Sequence, residues 1–313
     1  MIPYPQRSYV LELFVALGSA TENFVLAGAQ ALKFHSPKSR ATRDFDFVLD
    51  AVALRQADFG LARILESLQY QPVPEAQRFQ FSKPIPNSAE VMRIEFMAPA
   101  EYKRQNDFRV DIQQDIHAHA CEGGSVVLAE SDPWKISGSA PDGREASAFV
   151  RVTRPTALVM MKLLALHDRY QNLRGIQQRE HDRNEARIHA ADVVDILRAQ
   201  RDMNEFRRRF LAQFAPEPHL KDKIRGIVQD YFGGDLLRCL CDDGNSHYYN
   251  SCPDGEYDLT YSQFAYSNVV PFKDKSEVRT RDYVLSFPDT KIRYEILKER
   301  IENAWKEQFS SED

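Results

Sequence analysis

Asp44 and Asp46 are the residues whose type and spacing point most directly to chemistry. They lie in the run Arg40-Ala41-Thr42-Arg43-Asp44-Phe45-Asp46-Phe47-Val48-Leu49. Its alternation predicts a strand with both carboxylates on one face and Phe45 and Phe47 on the other. Two carboxylates side by side repel each other unless a cation lies between them. Mg²⁺ suits such a pair, because it takes one or two protein carboxylates, keeps several waters and leaves positions for phosphate; Mn²⁺ accepts similar ligands. Phosphoryl transfer with two ions needs that arrangement, since the ions hold the attacking and leaving oxygens in line. A D-x-D pair alone equally describes a strand end whose carboxylates cap a turn, so its surroundings decide.

Those surroundings begin upstream. Phe24-Val25-Leu26 reads as a short strand of β-formers, and Gly28 follows where a tight turn or close backbone approach needs a residue without Cβ. Residues 29–35 have helical spacing, which Ser36-Pro37 ends. Downstream, residues 78–127 change texture to short alternating strands separated by Pro, Asn and Gly. A metal site of this kind needs a third carboxylate on a neighbouring strand, to complete the ligand set and polarise the attacking hydroxyl. Two residues compete for it. Glu95 lies in Met92-Arg93-Ile94-Glu95-Phe96-Met97, and Asp111 in Phe108-Arg109-Val110-Asp111-Ile112. Either can also be a surface partner of its own Arg neighbour, a pair of little energetic worth.

With Gly28 followed by Arg40-x-Thr42-x-Asp44-x-Asp46, the chain resembles the polymerase-β-type nucleotidyltransferases. It is most similar to the AbiEii-like branch of abortive-infection toxins, whose pattern is a Gly-Gly or Gly-Ser turn, a short helix and R-x-T-x-D-x-D. This chain departs from that pattern at Ala27-Gly28-Ala29, where one of the paired small residues is Ala. The resemblance implies Asp44 and Asp46 as metal ligands and Gly28, Arg40 and Thr42 as nucleotide-binding. It favours Glu95 over Asp111 as the third carboxylate, because the family places that group in an apolar-x-apolar-D strand, here with Glu.

Beyond a turn-rich stretch at 137–143 and a boundary near residue 150, the pattern becomes helical. Pro155 sits near a helix start, with Ala157, Leu158, Met161, Leu164 and Ala165 as an apolar stripe. Lys162 and Arg169 lie on the same segment. Residues 174–185 are very polar and read as a mobile link to a helix that carries Asp192, Val193, Asp195 and Ile196. The pair resembles the family's K-x-x-A-x-x-x-R helix and its D-φ-x-D-φ successor (φ being apolar). By that resemblance Lys162 and Arg169 bind nucleotide phosphates, which an ammonium can neutralise. An amphipathic helix can equally carry a snorkelling Lys. Asp192 and Asp195 share a helix face from which they can orient Lys162 or Arg169.

The remaining landmarks are less specific. An amphipathic helix is expected over 8–18, and another within 50–71 built on Leu61, Ile64, Leu65 and Leu68. Arg207-Arg208-Arg209 beside Glu205 reads as a solvated helix face. Residues 241–266 form an irregular Tyr-rich segment, whose rings can stack on a base or pin a loop. A helix is expected over 291–308. Cys239, Cys241, His247 and Cys252 fit no standard zinc spacing.

The 313 residues and 43% apolar content allow a proper core in one or two domains. A net charge of −5 argues against wholesale coating by nucleic acid. Four cysteines suggest a reduced, cytoplasmic setting, and there is neither a signal pattern nor a run of membrane-spanning length. The expected fold is α/β (α+β): a nucleotidyltransferase-like catalytic domain with a mixed sheet over 1–150, then a mainly helical domain over 151–313. The expected activity is Mg²⁺-dependent transfer of a nucleoside monophosphate from an NTP to an acceptor hydroxyl. By resemblance the acceptor is RNA (tRNA) or protein and a cognate antitoxin is a partner. The alternatives are a catalytically weakened binding relative, or an antibiotic-type enzyme acting on a small molecule.

Overall fold

A computed structural model describes residues 2–232, apart from 37–41, 43, 58, 77, 87, 89, 106, 172–174 and 216. The chain forms two compact units, Met1–Leu158 and Val159–Asp313. In the first, nine strands form among the described residues: β1 (Phe24–Leu26), β2 (Asp44–Leu49), β3 (Gln71–Pro72), β4 (Gln80–Pro84), β5 (Val91–Pro99), β6 (Arg109–Gln113), β7 (Ile116–Cys121), β8 (Ser131–Ser139) and β9 (Glu145–Thr153). They make one mixed sheet of order β3-β4-β5-β2-β1-β9-β8, with β7 joined to β5 and β6. β2 is antiparallel to β1 and parallel to β5, so it lies in the sheet's interior. That position explains why Phe45, Phe47, Val48 and Leu49 are all buried.

The helices are α1 (Gln6–Leu17), α2 (Gly28–His35), α3 (Ala51–Gln56), α4 (Leu61–Ser67) and α5 (Gly124–Ala129). The core of this unit is aromatic. Phe14 of α1 meets Phe24 and Phe47, and Phe24 and Phe81 both meet Phe96, with centroids 5.5–6.5 Å apart. Such tilted and edge-on pairs add about 0.5–1.5 kcal/mol each beyond their buried area. The expected single helix within 50–71 is two short ones. The first is capped by Asp50, whose carboxylate accepts from Ala53 N–H at 3.0 Å.

The turn signals at 137–143 belong to a long hairpin: β8 and β9 pair from Ser131↔Thr153 to Ser139↔Glu145. Residue 150 lies in β9, which also pairs with β1, and the first unit runs to Leu158. One further expectation needs correction. The polar stretch from 175 to 185, expected as a mobile link, is helical, because α7 (Gly175–Arg198) runs through it.

The second unit contains most of α6 (Pro155–Gln171), then α7, α8 (Met203–Ala212) and α9 (Pro218–Phe232). Its core comprises Leu163 and Leu166 of α6, Ala190, Val193 and Ile196 of α7, Phe206 and Phe210 of α8, and Ile224 and Val228 of α9. Val159, Met160 and Leu163 are buried on α6, whereas the expected stripe residues Met161, Leu164 and Ala165 are half-buried. Arg208 and Arg209 pair with Glu205 on an exposed face of α8, as the charge pattern suggests. The Tyr-rich segment, the 291–308 helix, Cys239, Cys241, His247 and Cys252 lie outside the described residues.

Candidate active site

β2 brings Asp44 and Asp46 to one face of the sheet, with Asp44 exposed and Asp46 half-buried. β5 runs parallel beside it in the register Asp44↔Arg93, Phe45↔Ile94, Asp46↔Glu95 and Phe47↔Phe96. Paired residues of adjacent strands share a face, so Glu95 stands directly across from Asp46, about 4.8 Å away along the hydrogen-bonding direction. Two like charges in register destabilise a sheet. On the opposite face Phe45, Phe47, Ile94 and Phe96 are all buried.

Gly28 completes one wall. Ala27 is extended and its N–H donates to the Asp46 carbonyl at 2.7 Å, which locks the β1–α2 turn onto β2. Gly28 then takes φ +61°, and a Cβ there would stand 1.7 Å from Asp46 Oδ2. Glycine is thus required twice, by backbone conformation and by the carboxylate occupying its side-chain space. The N-terminal end of α2 places its partial positive charge beside that carboxylate. Ala27 and Ala29, which flank the glycine, are both buried.

The turn reaches the Thr42 segment through Gln30. This fully buried residue donates from Nε2 to the Thr42 carbonyl at 2.8 Å, and the Asp44 N–H donates to Thr42 Oγ1 at 3.4 Å. Arg40 lies outside the described residues. Sequence reasoning missed Gln30, because nothing in a helical glutamine announces the loop it will hold.

Asp111 is placed differently. It sits on β6, which pairs with β7 and not with β2 or β5. Its carboxylate meets the Arg104 guanidinium and lies 3.1 Å from His117 Nδ1. Of the two competing carboxylates, the fold sets Glu95 beside Asp46 and gives Asp111 to a surface charge cluster. Sequence reasoning also assigned no role to Gln80, although it stands opposite Glu95 on β4 and donates from Nε2 to Glu95 Oε2 at 2.6 Å.

The family model of the nucleotidyl transferase AbiEii toxin, of a type IV toxin–antitoxin system, matches residues 12–236. The chain belongs to this family. The match takes in the sheet with Gly28, Asp44, Asp46 and Glu95 and also α6 to α9. A second model, of the YunG protein, matches residues 226–306, so this stretch of the chain is similar to a known family. A comparison with the curated proteins returns no match.

In the AbiEii-like second half, Lys162 and Arg169 are both engaged by acids. Lys162 is 5% exposed and its Nζ lies 2.7 Å from Asp192 Oδ2 on α7, itself 2% exposed. The half-buried Arg169 approaches the fully buried Asp182 at 3.6 Å. Asp192 therefore fulfils the expectation that it orients Lys162. Asp195 is half-buried, and desolvation, then the Asp192 charge, raise its pKa.

Among the described residues no group of three or more His, Cys, Asp or Glu side chains gathers as a metal cluster. No described helix is long and apolar enough to cross a membrane.

Proposed function

We propose that this AbiEii-family chain is an active nucleotidyltransferase toxin that moves a nucleoside monophosphate from an NTP to a hydroxyl of RNA or protein, with Mg²⁺ or Mn²⁺ as cofactor. The observation that carries the reading is the pairing of Asp46 with Glu95 across β2 and β5, beneath the Gly28 turn. The chemistry of Asp44 and Asp46 supports the ion. They are carboxylate donors on a rigid sheet, one of them packed where a Cβ would otherwise stand. They are also too few to form an all-protein cage, as suits a cation that keeps waters and binds substrate phosphates. Asp44 and Asp46 would hold the metal, which would supply charge neutralisation of the triphosphate and the leaving pyrophosphate.

The chain's own residues would do the rest. Gly28 would let the turn approach the triphosphate, and the family pattern assigns Thr42 and Arg40 to nucleotide binding. Arg169, held near Asp182, and Lys162, fixed by Asp192, are the cations assigned to the phosphates. Glu95 takes the proton of the acceptor hydroxyl. The acceptor oxygen forms a bond to the α-phosphorus as the bond to the β-phosphate bridging oxygen breaks, and pyrophosphate leaves with the electron pair. Positioning and electrostatics supply most of the rate. A type IV system implies a cognate antitoxin, and NTP use suits the cytoplasm.

The test is incubation of the protein with each α-³²P-labelled NTP, Mg²⁺ and total cellular RNA, beside an Asp44→Ala/Asp46→Ala variant. Label moved into RNA or protein by the wild type alone is the expected result. Nucleotide binding that depends on Mg²⁺ and Asp44, without transfer, would instead indicate a binding relative or a small-molecule acceptor.

A further inference from the structure

Glu95 is a glutamate where the related pattern has aspartate, so its carboxylate hangs on one more rotatable bond. A longer side chain at a catalytic position needs something to hold it, since placement within a fraction of an ångström decides catalysis. The sheet provides such a holder. β4 is antiparallel to β5 on the side away from β2, and Gln80 pairs with Glu95 in register. Both residues are half-buried and share the face that carries Asp46.

The Gln80 amide donates to Glu95 Oε2 at 2.6 Å. That is a short, charge-assisted hydrogen bond, and only the NH₂ end of the amide can make it with a carboxylate. Glu95 is thus flanked by a donor on one strand and by Asp46 on the other. We propose that Gln80 is a positioning residue, which clamps the Glu95 carboxylate from the β4 side and so sets it for metal and acceptor beside Asp46. The proposal rests on the nucleotidyltransferase reading and adds to it a residue outside the signature. It also accounts for how a glutamate serves where aspartate is usual.

The experiment measures Mn²⁺ binding to the full-length protein by EPR titration without nucleotide, then kcat and KM for the NTP. The proteins are the wild type, Gln80→Met, Gln80→Glu and Glu95→Gln, with circular dichroism melting as the folding control. Gln80→Met keeps length and apolar packing but removes the donor. It is expected to weaken Mn²⁺ binding by about tenfold or more, the usual cost of losing an outer-shell partner, and to lower kcat with little change in KM. Gln80→Glu keeps the shape and replaces a donor by a like charge, so it should weaken Mn²⁺ binding further; it decides the matter if Gln80→Met does not fold. A merely structural Gln80 would lower the melting midpoint and leave the Mn²⁺ affinity of the folded protein unchanged, which would overturn the proposal. If Glu95→Gln weakens Mn²⁺ and the folded Gln80 variants do not, the proposal alone fails. If the wild type binds no Mn²⁺, or Glu95→Gln binds it equally well, the metal-site reading fails and this proposal with it.

Discussion

Asp46 and Asp192 are aspartates put to opposite uses. Asp46 stands in register with a second carboxylate, Glu95, on a sheet whose other face is solid aromatic core. Asp192 is buried among helices and meets its opposite, the Lys162 ammonium, at 2.7 Å. A fold seeking only stability would avoid the first arrangement, because like charges across a strand pair destabilise it. The second satisfies itself internally. The difference separates a carboxylate pair in register on a sheet, where the proposed function puts the metal, from a carboxylate that meets an ammonium inside a helical core.

The sharpest way to break this contrast is to crowd Asp46. Gly28→Ala would bring a methyl to 1.7 Å from Asp46 Oδ2 in a residue at φ +61°. The carboxylate must move, and a displacement on the order of 1 Å at a catalytic group costs about 10²-fold. Transfer of labelled nucleotide should fall by at least that factor. The melting midpoint should fall as well, since a non-glycine residue in the left-handed region costs roughly 1–2 kcal/mol. Unchanged transfer would mean that Asp46 tolerates any position and is no metal ligand.

The Lys162–Asp192 pair should respond through stability first. Asp192→Ala strands a buried ammonium, and removing one partner of such a pair costs about 3–5 kcal/mol. Urea unfolding of the variant should show that loss. The double replacement Lys162→Met/Asp192→Leu should fold with near wild-type stability, because apolar residues of similar volume replace buried pairs without penalty. In that background the KM for the NTP tests Lys162. A rise is expected if it contacts phosphate, and an unchanged KM would make the pair purely structural.

These contrasts show what the sequence could and could not reveal. β1, α2 and β2 were legible because apolar runs, Gly28 and the alternation in Asp44–Leu49 are local signals. The resemblance named Glu95, but its register with Asp46 and its hydrogen bond to Gln80 are non-local. A glutamine between two phenylalanines in Phe79-Gln80-Phe81 reads only as the outward position of a strand. The β8–β9 hairpin was hidden because much of Ser131–Ser139 is exposed and carries few β-formers. The first half of α7 was hidden for the converse reason. Its Gln, Arg, Glu and Ala residues favour a helix intrinsically but offer no apolar period to detect. The burial of Lys162 depends on a partner on another helix, which no spacing rule supplies.

Asp111 sharpens the comparison from the other side. It competed with Glu95 on paper, yet its partners Arg104 and His117 are surface groups. Asp111→Ala should therefore leave transfer unchanged and cost at most about 1 kcal/mol, as exposed pairs usually do. Glu95→Ala should abolish transfer in the same assay. Equal losses from both would return Asp111 to the site.

The smallest effect is expected at Asp195, one turn along α7 from Asp192. Desolvation, then the Asp192 charge, raise its pKa, with Arg198 opposing. A raised folded pKa means that the native state holds its proton more tightly than the unfolded chain does. Stability then falls as pH rises through the window between the unfolded value, about 3.9, and the folded one. At neutral pH the charged Asp195 is a net burden, which Asp195→Asn removes. The variant should melt slightly above the wild type at pH 7, by no more than the roughly 2–4 °C that 1 kcal/mol gives in a domain of this size. The two curves should converge as pH drops toward 4. A variant that melts lower at pH 7 would show Asp195 to be held by a cation, as Asp192 is, and would extend the self-compensated region along the whole helix face.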